Sequence, residues 1–343
     1  MIDTADVLVV GLGPAGATAA AAAARRGCRV IALDRRREPG QPVQCAEFVP
    51  ALLAVEREVL AGSVRQPIAS MATFVEDDPP DLKPDFPGHI LDRAAFDAAL
   101  IAAAARAGAE IRLGQAVRRV ARDGTVILAS GARLRARVLV GADGPRSVAG
   151  RAIGSVNTAL VETRQISVPL RAAHAATDIF LSARIPGGYG WLFPKGGRAN
   201  LGAGVDPAYR ARLKPIVAAL HERLAAEGRV GREVLGLTGG AIPVGGMLRP
   251  RGVLGETEVL LAGDAAGLAN PVTGAGIAAA VHSGRLAGEA AAAGTFADYE
   301  EELEAVYRAS LERALARRRE LLAAGPGKAA LRRGWIAYPE YWQ

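Results

Sequence analysis

Cysteine is nearly absent from this chain of 343 residues, which has only Cys28 and Cys45. Two are too few for a disulfide framework, and their scarcity fits a reducing compartment. Aromatic residues are scarce too, at 5%. Long apolar runs are missing: the alanine-rich stretches 17–24 and 287–293 are too short to span a bilayer. Asp3 and Asp6 interrupt the N-terminal segment and no basic start precedes it, so no secretory signal and a cytoplasmic location are expected. The histidines His89, His174, His221 and His282 form no metal-ligand pattern with each other or with the cysteines, so no metal is expected. No G-x-S-x-G elbow, P-loop lysine or H-E-x-x-H occurs either. These absences argue against metal catalysis and hydrolysis.

What is present is an ordinary globular composition, half hydrophobic and 22% charged, with room for two joined domains. The formal charge is +7 and is uneven. Between Arg308 and Arg333 stand eight basic residues against two acidic ones. One reading is a solvated helix face; the other is contact of 308–333 with an anionic membrane surface. No recognised module accompanies the charge, so nucleic-acid binding is not expected.

The stretch ADVLVVGLGPAGATAAAAAARRGCRVIALDRR opens with an apolar strand and continues into G-x-G-x-x-G at Gly11, Gly13 and Gly16. An alanine-rich helix follows, then a second apolar strand ending at Asp34. Strand, glycine turn, helix, strand and acid in this order mark a dinucleotide site. The glycines permit the turn and the approach of pyrophosphate, the helix N-terminus faces the phosphates, and Asp34 meets the ribose hydroxyls. The alternative is a tight turn without ligand.

Two later segments repeat the design. ARVLVGADGPRSVAGRAIG carries Asp143 and Gly144, and TEVLLAGDAAGLANPVTGAGI carries Gly263, Asp264, Pro271, Gly274 and Gly276. Asp264 is placed to accept from a chain of sugar-like hydroxyls, which FAD has and NAD lacks. The structural alternative is that such aspartates cap helices. Three such units in order resemble the flavoprotein superfamily with the para-hydroxybenzoate hydroxylase fold. That resemblance implies a Rossmann-like FAD domain of discontinuous segments 1–65, 90–150 and 245–295. An antiparallel-sheet substrate domain from 66–89 and 151–244 and C-terminal helices over 296–343 complete the expected α/β fold. It also implies FAD contacts at Pro14, Ala15, Arg35, Cys45, Ala46, Arg93, Ala116, Val117, Ala275 and Ile277. For Arg93 the alternative is a helix N-terminal residue capped by Asp92.

QPVQCAEFVP, GGYGWLFPKG, GGAIPVGG and NPVTGAGI narrow the resemblance to the geranylgeranyl reductase family, flavoproteins that saturate isolated double bonds of polyprenyl chains. The family's Y-x-W-x-F-P motif falls on Tyr189, Trp191, Phe193 and Pro194. Period-two spacing sets the three rings in a row along a strand, as walls for an apolar substrate or as ordinary core. LVETRQISVPL, TDIFLSARI and the motif strand read as successive strands. Cys45 is a candidate proton donor or inert packing, and Glu47 a relay or loop anchor. The resemblance implies reduction of a prenyl lipid double bond by reduced FAD, with NAD(P)H or a small redox protein as electron donor. Alternatives are a flavin monooxygenase acting on an aromatic or peptidyl substrate and an electron-transfer flavoprotein. The terminal RRGWIAYPEYWQ clusters Trp335, Tyr338, Tyr341 and Trp342; it is expected over the cavity mouth, at a membrane interface, or packed against the FAD domain or a second subunit.

Overall fold

A computed structural model describes residues 2–50, 57–325 and 327–343; residues 51–56, within the first expected segment of the FAD domain, lie outside the described residues. The expected mixed α/β architecture is present. The apolar run at the end of strand Ile2–Val10 is buried, as is all of Val30–Leu33. Continuous burial is what a parallel sheet covered on both faces demands. The strand order is Arg251–Leu254, Thr257–Leu261, Arg133–Gly141, Ile2–Val10, Val30–Leu33 and Glu110–Arg112. Along this order every pair is parallel except Arg251–Leu254 with Thr257–Leu261, and the strands Val117–Val120 and Val126–Leu128 join Arg133–Gly141 as an antiparallel extension.

Alanine favours the helix Pro14–Arg25 and keeps its surface thin. The helix Ile277–Ala293 therefore comes in close: a Cβ on Gly284 would stand 2.1 Å from the Ala15 carbonyl oxygen. This packing brings the two ends of the chain's nucleotide-type motifs together. Both helices share one core with the parallel sheet.

The second sheet has the order Gly236–Thr238, Leu160–Pro169, Arg198–Val205, Gly190–Lys195, Ala176–Leu181, Ser70–Val75 and Asp81–Lys83. It is antiparallel apart from Ala176–Leu181 with Ser70–Val75. Of residues 66–89, part joins this sheet, whereas Val64–Ile68 and Gly88–Leu91 form a small sheet with Phe48–Pro50. The helix Leu213–Ala226 covers one face with Leu213, Val217, Leu220 and Leu224, a helical stripe packed on Leu192 and Leu201. Trp191 and Phe193 point to the other face, where Leu331 and Trp335 from the C-terminal tail meet them. The long helix Phe296–Ala324 and the short helix Lys328–Arg333 deliver that tail. Lys328 and Arg332 fasten it to Asp78 beside the sheet edge. No helix among the described residues is long and apolar enough to cross a membrane.

Candidate active site

The glycine turn is built for close backbone approach. A Cβ on Gly16 would stand 1.7 Å from the Gly11 carbonyl oxygen, so strand and helix meet without side chains between them. A Cβ on Gly13 would meet nothing within 4 Å, which leaves the front of the turn open. Gly13 starts the helix Pro14–Arg25 without a side-chain cap, so its first N–H groups are free for an anion. The Asp34 carboxylate accepts the Leu12 and Arg36 N–H groups, each at 2.7 Å, and thereby ties the second strand's end to the turn. Gln115 N–H donates to the Asp34 carbonyl at 2.7 Å, which brings Ala116 and Val117 to the same corner. Arg35 points to solvent there.

The second corner lies against the first. A Cβ on Gly263 would be 3.1 Å from the Ala15 Cβ. Asp264 follows, half-buried, and among the described residues no group donates to its carboxylate. Burial pushes this carboxyl up to about 6, with the Arg93 charge pulling the other way. The segment Asn270–Gly276 folds over it: Asn270 Oδ1 accepts the Val272 and Thr273 N–H groups at 2.9 and 3.0 Å. A Cβ on Gly276 would come within 3.2 Å of Asp264 Oδ1, so the uncapped start of helix Ile277–Ala293 abuts the carboxylate. Pro271, Gly274 and Ala275 belong to this same turn. A bare acid, two uncapped helix starts and an open glycine turn fit FAD, whose hydroxyls and pyrophosphate need an acceptor and donors respectively.

Asp143 takes a different part. Ser147 Oγ and the Val148 N–H, the latter at 2.6 Å, both donate to its carboxylate, and Ser147 caps the helix Val148–Ala152. Its side chain organises the corner beside Gly144.

Cys45 and Glu47 occupy one loop with opposite environments. Glu47 is buried and holds a left-handed backbone (φ 72°). Strain of about 1–3 kcal/mol at such a residue persists only where its surroundings enforce it. Here they do: the carboxylate accepts from Lys195 Nζ at 2.8 and 2.9 Å, Asn200 Nδ2 at 2.8 Å and the Arg93 N–H at 2.9 Å. Cys45 is half-buried, and its Sγ accepts the Glu47 N–H at 3.2 Å. Burial pushes the thiol above its ordinary value near 9, opposed by Arg93. Arg93 is the first residue of the helix Arg93–Arg106, capped by Asp92, and its guanidinium pairs with Asp97 at 2.9 and 3.0 Å. Burial weighs against that charge, but Asp97 and Cys45 outweigh it and raise its pKa. The helix-terminal position and the site-facing side chain thus coexist.

The three rings of the motif divide their contacts. Tyr189 lies near Cys45, its hydroxyl donates to the Thr273 carbonyl, and its ring centroid is 4.9 Å from that of Trp335. Trp191 is buried, donates to Gln165 Oε1 at 2.9 Å, and lies edge-on to Tyr189 at 5.8 Å. Its indole occupies the space a Cβ on Gly202 would fill, 2.4 Å away. Phe193 packs edge-on to Phe48 at 6.0 Å, and Pro194 follows, buried. Ala46 packs in the same apolar cluster.

Gln165, Lys195 and Asn200 were not singled out by the sequence, although they fix this loop. Gln165 donates to the Cys45 carbonyl at 3.1 Å while holding Trp191. The one available signal was parity, since Lys195 continues the alternation of Tyr189, Trp191 and Phe193. Among the described residues no group of His, Cys, Asp and Glu is arranged to hold a metal ion.

Residues 4–181 match the family described as FAD binding domain. The digeranylgeranylglycerophospholipid reductase of Methanosarcina acetivorans is 35% identical over 322 residues, covering 85% of this chain and 76% of that protein. The enzyme of the same name from Methanocella arvoryzae is 35% identical over 308 residues, covering 82% and 76%. A geranylgeranyl bacteriochlorophyll reductase-like protein from Thermoplasma acidophilum superposes with a TM-score of 0.81 at 25% identity, over 96% of this chain and 90% of that one. A probable FAD-dependent monooxygenase from Pseudomonas aeruginosa has the same fold, with a TM-score of 0.68 at 18% identity over 96% and 98% of the two chains.

Proposed function

From its membership of the geranylgeranyl reductase family of FAD-dependent oxidoreductases, to which this chain belongs, we propose that the protein reduces isolated carbon–carbon double bonds in the prenyl chains of a lipid. The substrate in the relatives' name, a digeranylgeranylglycerophospholipid, supplies the substrate class. The observation that carries the reading is that Gln165 ties the Cys45 loop to Trp191, whose neighbour Tyr189 bonds the Thr273 carbonyl in the turn over Asp264.

Gly11, Gly13 and Gly16 with the first turn of their helix would hold the pyrophosphate, Asp34 the adenosine ribose, and Asp264 the ribityl hydroxyls. Reduced FAD supplies a hydride when bound, with NAD(P)H or a small redox protein as the source of electrons. An isolated alkene has no carbonyl to delocalise charge, so the proton must arrive in step at the other carbon. Cys45 Sγ carries that proton, because burial keeps the thiol neutral at pH 7. Arg93 then stabilises the thiolate left behind, which water reprotonates. Glu47 positions the loop: its carboxylate is already occupied by three donors' worth of fixed partners and holds Cys45 through the backbone. Tyr189 and Trp191 exclude water and align the chain. Among the cluster of cations in 308–333, Arg319 and Arg333 face outward for contact with an anionic membrane surface.

Anaerobic incubation of the chemically reduced, FAD-loaded protein with a geranylgeranyl phospholipid tests this. Flavin reoxidation with a gain of two mass units per saturated bond is expected. A flavin that stays reduced without oxygen, yet yields hydroxylated product when oxygen is admitted, contradicts it.

A further inference from the structure

One crevice outside the Cys45 site is lined by two side-chain donors that have no protein acceptor among the described residues. Arg318, on the helix Phe296–Ala324, is only 9% exposed, and among the described residues its guanidinium has no hydrogen bond or ion pair. Its neighbour Arg317 shows the usual outcome, bonding Glu320 at 2.8 Å and the Tyr341 carbonyl at 3.1 Å. The acid whose charge reaches Arg318 is Asp206, and that carboxylate caps the Ala208 N–H at 3.0 Å. Trp335 lines the same crevice, and its indole N–H is buried with no acceptor. Leu331, Leu321 and Tyr189 supply apolar walls. An arginine does not lose its proton in a protein, and burial works against this charge while Asp206 only partly offsets it. Two donors without an acceptor call for a ligand rich in lone pairs and negative charge.

We propose that Arg318 and the Trp335 indole N–H form a phosphate subsite that anchors the headgroup of an amphiphilic substrate at the outer end of the aromatic wall. Tyr189 joins the two places, since it packs on Trp335 and on Trp191, which Gln165 ties to the Cys45 carbonyl. A chain held by its phosphate at Arg318 passes Tyr189 on its way to the thiol. The crevice has a volume of about 30 Å³, about one water's share of liquid volume. Phosphate entry therefore moves Leu331 and Leu321 aside and changes the surroundings of the Trp335 indole, which reports it. The assignment takes its ligand class from the prenyl-lipid reading, but binding needs no turnover, so a failed reduction assay leaves the binding result standing.

The test is tryptophan fluorescence of FAD-loaded protein titrated with octyl phosphate, octanol and inorganic phosphate. Octyl phosphate is expected to bind at least tenfold more weakly to Arg318→Met than to the unaltered protein, with partial recovery in Arg318→Lys and a loss of affinity as salt is raised. Octanol binding is expected to be the same in all three. Without ligand, Arg318→Met should melt no lower than the unaltered protein, because it deletes a little-exposed charge that no protein group bonds; a lower melting temperature would mark Arg318 as a structural ion and overturn the proposal. Octyl phosphate affinity unchanged by Arg318→Met, or equal to that of octanol, overturns it as well. Inorganic phosphate binding as tightly as octyl phosphate would assign the site to free phosphate and overturn the headgroup.

Discussion

Glu47 and Asp264 are both acids withdrawn from solvent near Arg93, and the protein treats them in opposite ways. Glu47 is saturated by Lys195, Asn200 and the Arg93 backbone. Asp264 has no donor among the described residues and a carboxyl raised to about 6. Folding alone selects for the first arrangement, because a buried acceptor left unmade costs about 1–3 kcal/mol. The second is retained only where something outside the chain completes it. We therefore propose that the wall around Glu47 is scaffold for Cys45 and that the wall around Asp264 is a binding surface for FAD.

The largest expected effect lies between the two acids. Cys45→Ala should lower turnover by about 10²-fold or more, in the range of general acid catalysis, while FAD content stays the same; retention of full activity would make Cys45 mere packing. Next, Glu47→Ala strands Lys195 without its counter-charge and should cost about 3–5 kcal/mol of stability in a denaturant titration. A loss below about 1 kcal/mol would break the claim that Glu47 is the anchor.

Asp264 gives a pH signature instead. Its folded pKa, about 6, lies above the ordinary 3.8, so this group's contribution is fully present below pH 4 and is lost as pH rises through 6. FAD-free protein should lose up to about 3 kcal/mol across that window, and Asp264→Asn should flatten that part of the stability profile. The smallest expected change is Tyr189→Phe, which removes the hydroxyl's bond to Thr273 and should cost about 1 kcal/mol.

The same contrast explains what the sequence made legible. The glycine turn with Asp34, and Gly263-Asp264 before its helix, are local patterns whose chemistry follows from neighbouring residues. The aromatic row was legible through period two. Glu47's partners were not, because Lys195 and Asn200 come from a strand pair some 150 positions away. Arg318 was hidden by its neighbours: in a run of three arginines only the rotation of about 100° per residue on the helix decides which is buried. Asp143, a pattern read as ligand-facing, has a carboxylate that accepts from Ser147 and the Val148 N–H at a helix start, bonds that the pattern alone did not reveal.

The FAD dissociation constants of Asp264→Asn and Glu47→Gln at pH 7, measured on fully folded protein, test the central contrast most directly. The account predicts FAD binding weakened about tenfold or more by Asp264→Asn with no loss of melting temperature. Glu47→Gln should melt lower yet bind FAD about as tightly as the unaltered protein. The reverse pattern would contradict it.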